Sequence, residues 1–159
     1  MTESEDSVSL GGVDEGYLER NAAGQARLAA LGRRLGAGDL RAHLSGGWTA
    51  AAVFAHLAFW DRFVIARWDA YDGTGVIDDL PDSVADLVNA AGLPLWLALD
   101  AEAAVSVAVR AASEVCTRIA GLSLEAVGSA NRSGHLPLLD RGFHWSAHLD
   151  EVEAAGGSG

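Results

Sequence analysis

Two histidines, His144 and His148, lie four residues apart in the segment Leu139-Asp-Arg-Gly-Phe-His-Trp-Ser-Ala-His-Leu-Asp-Glu-Val-Glu153. On a helix, residues i and i+4 project from one face a turn apart. The two imidazoles can therefore give nitrogens to one divalent ion at about 2.0–2.1 Å each. At about 100° per residue, His148 is rotated about 40° from His144, Trp145 about 100° and Leu149 about 140°, so the pair borders the apolar stripe. A third candidate is His56, flanked at helical spacing by Val53, Leu57, Trp60 and Phe63. An imidazole on such a face needs a partner, because an unpaired buried polar group costs about 1–3 kcal/mol. If the helix bearing His56 faces the one bearing the pair, three nitrogens converge. Three protein ligands leave positions open on the ion, as in a catalytic site, whereas a closed structural site uses four. On spacing alone, the alternative is a polar core network that binds no metal.

The remaining reactive side chains carry less. Cys116 is the sole cysteine, so it forms no internal disulfide and no cysteine-based zinc site; in step with Ala112 and Ile119, it reads as a buried, inert thiol. His43 and His135 fall in polar segments and read as solvated. Asp61, five residues after His56, is placed to support that ligand. Asp150 is rotated about 200° from His148 and points away from any shared ion. Arg62, Arg67 and Arg141 are candidates to hold an anionic substrate or a thiol carboxylate, although helix-surface ion pairing accounts for them equally. No phosphate-binding glycine loop, Ser-His-Asp arrangement or haem motif stands out.

Composition bounds the partners. The 159 residues hold 11 Lys+Arg against 22 Asp+Glu, a formal charge of −11, and every one of those cations is arginine. So acidic a surface repels phosphate backbones and anionic lipid, which argues against nucleic acid and membranes as partners. Half of the residues are hydrophobic and 21% are charged, as in an ordinary globular domain. The longest uncharged run, Ala42 to Trp60, is interrupted by Gly46-Gly47 and contains two histidines, so it is no membrane span. The acidic start, Met1-Thr-Glu-Ser-Glu-Asp, is unlike a secretory signal, and the expected location is cytoplasmic.

The elements that must position the histidines are helical throughout. Residues 1–12 read as a flexible leader, 13–155 as one domain and 156–159 as a flexible tail. The first helix is expected from Val13 to Leu35, because Tyr17, Asn21, Gly24, Leu28, Leu31 and Leu35 form a single stripe. The second starts after Thr49, a candidate N-cap, and runs to Tyr71, where Asp72-Gly-Thr-Gly75 breaks it. A short helix is expected over Ser83–Ala91. A third long helix is expected from Pro94 to Ala120 with Leu99, Val105, Val109, Ala112, Cys116 and Ile119 inward, then a short turn over Ser123–Ala130 and a last helix over Leu138–Ala155. The spacing predicts an all-α antiparallel four-helix bundle, with residues 72–93 forming a crossover or a lid.

Three segments together resemble a known family. Gly47-Trp-Thr-Ala-Ala-Ala-Val-Phe-Ala-His-Leu-Ala-Phe-Trp-Asp61 is similar to the Trp-(Ser/Thr)…His-Leu signature of the DinB-like superfamily, and the His144/His148 helix resembles that family's terminal His-x-x-x-His helix. Val88-Asn-Ala-Ala-Gly-Leu-Pro-Leu-Trp-Leu-Ala-Leu99 is similar to the middle of actinobacterial members described as maleylpyruvate isomerase-like. The likeness covers residues 13–155. It implies a four-helix bundle holding a divalent metal, commonly zinc or nickel, on His56, His144 and His148. It also implies thiol S-transfer or thiol-dependent isomerisation with a low-molecular-weight thiol such as mycothiol, acting on a small-molecule substrate, and it admits a homodimer. Related domains occur in enzymes of sulfur-containing histidine betaine biosynthesis. Where related chains often carry basic residues between the two terminal histidines, this one has Trp145-Ser-Ala147. The non-catalytic alternative is a bundle braced by its metal that binds a small ligand or a protein.

Overall fold

The computed structural model describes residues 15–156. The expected leader lies outside the described residues, as does the tail beyond Gly156. Seven helices follow in order: α1 Tyr17–Arg34, α2 Ala37–Leu40, α3 Ala50–Thr74, α4 Asp82–Leu97, α5 Ala101–Ala120, α6 Leu124–Arg132 and α7 Gly142–Gly156. Two 3-10 turns, Ser45–Gly47 and Leu136–Leu138, lie between them. There is no strand among the described residues beyond one isolated bridge between His43 and Thr49. The domain is all-α, and no described helix is long and apolar enough to cross a membrane.

α1 buries Tyr17, Asn21, Gly24, Leu28 and Leu31, the stripe its spacing predicts. α3 starts where Thr49 Oγ1 accepts the Ala52 N–H at 3.1 Å and stops at Gly75, whose φ of 69° closes the C-terminus in the left-handed region. Thr49→Ala should lower stability by about 1 kcal/mol in urea unfolding, and Thr49→Ser should restore most of it.

The segment between α3 and α5 departs from expectation. Pro94 does not open a third helix; it sits inside α4, which extends from Asp82 to Leu97. The carbonyl that its missing N–H leaves free belongs to Ala90, and both residues are exposed, so water can serve that group. The break comes instead at Asp100, whose Oδ1 accepts the Ala103 N–H at 2.9 Å and caps α5. α5 buries Ala112 and Ile119 as expected, but its most buried stripe is shifted toward alanine: Ala101, Ala104, Ala108, Ala111 and Val115 are buried too, while Val105, Val109 and Cys116 pack half-buried at the core's edge and Leu99 is exposed. Small residues win this face because α3 presents Ala50, Ala51, Ala52, Ala55 and Ala58, and alanine lets two helix backbones approach closely.

The last helix also starts later than expected, at Gly142. Residues 139–142 are clamped from α1: Asn21 donates through Nδ2 to the Leu139 carbonyl at 2.8 Å, and its Oδ1 accepts the Arg141 N–H at 2.8 Å and the Gly142 N–H at 3.2 Å. A Cβ at Gly142 would stand 3.0 Å from the Arg20 carbonyl oxygen, so α7 approaches α1 backbone to backbone there.

Helix pairing follows from side-chain contacts. α1 packs on α5 and α7, and α3 packs on the same two, so the four make a ring. Arg20 meets Asp140 and Arg27 meets Asp150 and Glu153, which makes α1 and α7 parallel. His56 meets His148, Asp61 meets Arg141 and Trp68 reaches the Leu138 carbonyl, which makes α3 and α7 antiparallel. Pairing of Arg62 with Glu114 and of Arg118 with Asp69 and Asp72 sets α5 parallel to α3, so the expected antiparallel arrangement does not hold for two of the four neighbouring pairs. A hairpin cannot join parallel neighbours, so α4 serves as the crossover, returning along α3 with Asn89 at Trp60 and Trp96 at His56.

Candidate metal centre

The ring brings together the three histidines that the spacing singles out. His56 Nε2 lies 3.2 Å from His144 Nε2 and 3.1 Å from His148 Nε2, and the three ligand atoms all lie within 4.8 Å of one another. For nitrogens about 2.0–2.1 Å from a shared ion, such separations subtend angles of about 100°, between an octahedral face and a tetrahedron. His56 is 3% exposed on α3, while His144 and His148 are half-buried on α7. Among the described residues this three-histidine cluster could hold a metal ion.

The surroundings fix the rings. Trp48 and Trp96 set their indoles edge-on to His56, with centroids at 5.3 and 5.2 Å, and Trp60 stands at 6.4 Å. Trp48 gets there through Gly46 and Gly47, both at positive φ (67° and 80°), where other residues are strained. The Leu44 N–H then bonds the Trp48 carbonyl at 2.8 Å and closes the turn.

The electrostatics keep all three imidazoles neutral, the form a metal requires. Burial, with His148 and Arg141 adding to it, lowers the His56 pKa to about 3. Burial first and then Arg141 lower His144 to about 2, and burial lowers His148. A histidine whose folded pKa is depressed leaves the unfolded chain holding the extra proton, so stability rises with pH between the two values. With a chelator present, unfolding free energy should fall as pH drops below 6.5, by up to about 1.4 kcal/mol per pH unit for His56. His56→Phe should flatten that part of the curve; an unchanged slope would refute a neutral buried His56.

The outer nitrogens are unequal. His56 Nδ1 and His148 Nδ1 are buried without a hydrogen-bond partner, the nearest carboxylate oxygen to His148 being Glu151 Oε2 at 4.0 Å. His144 Nδ1 stands 2.9 Å from Arg141 Nη2. A guanidinium only donates, so this contact places the lone pair of His144 on Nδ1 and its proton on Nε2. Ligation through Nε2 requires the reverse. For a neutral His144, holding an ion and accepting from Arg141 exclude each other. The inner donor set thus fits a metal, and loading it must release one of the bonds of Arg141.

Arg141 has others. Its Nε donates to Asp61 Oδ1 at 2.9 Å, and Asp61, wholly buried, also accepts the Trp145 Nε1–H at 3.0 Å through Oδ2. Burial pushes the Asp61 carboxyl above its usual range against the pull of Arg141. Asp61 therefore supports the site through Arg141 and does not touch His56, while Trp145 packs in the core. Spacing did not single out Arg141 as the partner of His144, although it stands three residues before it, a turn away on the same face.

The other candidates are placed elsewhere. Cys116 is half-buried, its thiol 3.7 Å from the Asn21 carbonyl and its pKa pushed up to about 11, chiefly by burial, so it is unreactive. Asp150 pairs with Arg27 and Arg62 with Glu114. His43 is exposed; His135 is not simply solvated, since its Nε2 lies 2.9 Å from Asp79 Oδ1 and its Nδ1 2.7 Å from Ser133 Oγ.

The triad opens into a cavity of about 840 Å³, walled by α3, α4, α7 and residues 136–141, with Trp48, Trp60, Phe63 and Phe143 among its apolar lining. A comparison with protein-family models, curated proteins and solved structures gives no match to this chain.

Proposed function

We propose that the protein is a divalent-metal-dependent enzyme of the DinB-like type, using zinc or nickel on His56, His144 and His148 for thiol S-transfer to a small electrophile or for thiol-dependent isomerisation. The observation that carries this reading is the convergence of three neutral imidazoles at one end of a large, mostly apolar cavity. Three ligands leave open the side of the ion facing that cavity. When bound, the ion supplies a low-energy thiolate by lowering the pKa of a thiol in the open position. The chain's own residues hold the His56 imidazole between the indoles of Trp48 and Trp96, line the cavity with aromatic faces, and provide no competing thiol, since Cys116 lies against the Asn21 carbonyl. In S-transfer the sulfur of the thiol would bond to the electrophilic carbon as the bond from that carbon to its leaving group breaks, the leaving group keeping the electron pair and the thiol proton passing to it or to solvent. The closed ring of α1, α5, α3 and α7 supports reading the fold as a four-helix bundle of that type.

A second reading rests on the triad joining α3 to α7: the ion braces the two helices and no reaction follows. Cobalt substitution separates the two. Added thiol should produce a sulfur-to-cobalt charge-transfer band in the enzyme. A large rise in Tm on loading, with a spectrum indifferent to thiol, would favour bracing and sink the catalytic reading.

A further inference from the structure

Three arginines line the cavity, and two are committed: Arg20 to Asp140 at 2.6 Å and Arg141 to Asp61 at 2.9 Å. Arg67 is different. Its Nη2 donates to the Asp78 carbonyl, and it makes no ion pair with any described residue, although Asp78 and Asp79 are close enough to feel its charge. Asp79 is itself turned to His135. The guanidinium is half-buried, yet it stays charged, as arginine does at any pH the protein meets. Asp78 and Asp79 offset part of that charge from a distance, and with no carboxylate in direct contact the guanidinium can still make a charge-assisted bond to an anion that reaches it.

Its position on α3 gives it a purpose. His56, Trp60, Val64 and Arg67 follow at steps of four, four and three, with Phe63 beside them, so they form one stripe along the cavity wall. The eleven residue steps from His56 to Arg67 span about 16 Å of helix axis. The guanidinium is anchored at the Asp78 carbonyl and lines the same cavity as the triad. Between them, Trp60 Nε1 donates to Asn89 Oδ1 at 2.9 Å; this fixes the amide, whose NH2 has no acceptor among the described residues. The wall therefore runs from an ion site, past indole and phenyl faces and one amide donor, to an unpaired cation.

We infer that the cavity accepts an elongated ligand with a carboxylate at one end, held by Arg67, an apolar middle against Trp60 and Phe63, and its reacting head at the histidine triad. This rests on the proposed thiol reading only for the nature of the head; the anion site stands on Arg67 itself.

Two titrations test it. In the first, cobalt-loaded protein takes 3-mercaptopropionate, 6-mercaptohexanoate and 11-mercaptoundecanoate, each beside the matching mercapto alcohol, followed by the charge-transfer band. The longest acid should bind about tenfold or more tighter than its alcohol, as a charge-assisted bond implies, and the shortest should show no such advantage. Arg67→Gln should abolish the advantage and Arg67→Lys should keep part of it. In the second, metal-free protein takes undecanoate or undecanol, followed by tryptophan fluorescence; the acid should again be preferred, and only when Arg67 is present. An acid preference that survives Arg67→Gln in both titrations, or no preference in either, overturns the inference. If undecanoate binds through Arg67 while no thiol gives a band, the anion site stands and the thiol reading falls. Arg67 carries no ion pair, so Arg67→Gln should fold normally, which far-ultraviolet circular dichroism checks.

Discussion

His144→Ala should reduce zinc or nickel affinity by well over 100-fold in competition with a chromophoric chelator. Loss of a group that merely orients a ligand costs about 10–100-fold, and here a ligand itself is gone. The variant also removes the ring that accepts from Arg141, so part of the loss is returned: the Arg141 bond no longer competes with loading. His56→Ala lacks that compensation and should be the more damaging of the two. His43→Ala is the control; it is exposed and should bind the ion as the parent does. Equal affinity in the parent and His144→Ala would show that the ion, if any, sits elsewhere, and the three imidazoles would then be a polar network in the core.

Asp61→Ala should cost about 3–5 kcal/mol in denaturant unfolding, the largest loss expected from any single change here. The carboxylate is wholly buried and holds two donors, Arg141 Nε and the Trp145 indole. Its removal leaves a buried guanidinium with only the Pro137 carbonyl at 3.3 Å and a ring nitrogen to face. Arg141→Met is expected to be milder, because the orphaned Asp61 can take a proton while an orphaned arginine cannot lose one. Combining Asp61→Leu with Arg141→Met should recover much of the loss, since apolar packing can replace a buried ion pair. Strictly additive losses in the double variant would show that the pair does not act as a unit.

Much of this was legible along the chain, and the part that was not has a common cause. Local rules found the α1 stripe, the Thr49 cap and the three histidines, because each is written within a few residues, whereas α3 runs on to Thr74, three residues past its expected end at Tyr71. In α5, Ala112 and Ile119 face inward as expected, but the centre of the stripe moves from Val105 and Val109 to their alanine neighbours, because the deciding quantity is how closely α3 approaches. Pro94 looked like a helix start because its tolerance inside α4 depends on Ala90 facing water, which no local pattern states. Asp100 did carry its signal, an acceptor three residues before the N–H it caps. Asn21 carried none: its bonds reach residues 139–142, at the far end of the chain. Arg67 was one of three equivalent candidates until pairing removed Arg62 and Arg141.

The ring in which α7 lies between α1 and α3 also sets an order of events on the ribosome. α1, α3 and α5 can pair as soon as they emerge, but the Asn21 bonds and the contact of Trp68 with the Leu138 carbonyl wait until residues 138–142 have followed them. Until then His56 and Trp68 face an unfilled groove. Contacts so distant in sequence close late. The nascent chain therefore passes through a three-helix stage that exposes one imidazole and cannot bring the three histidines together.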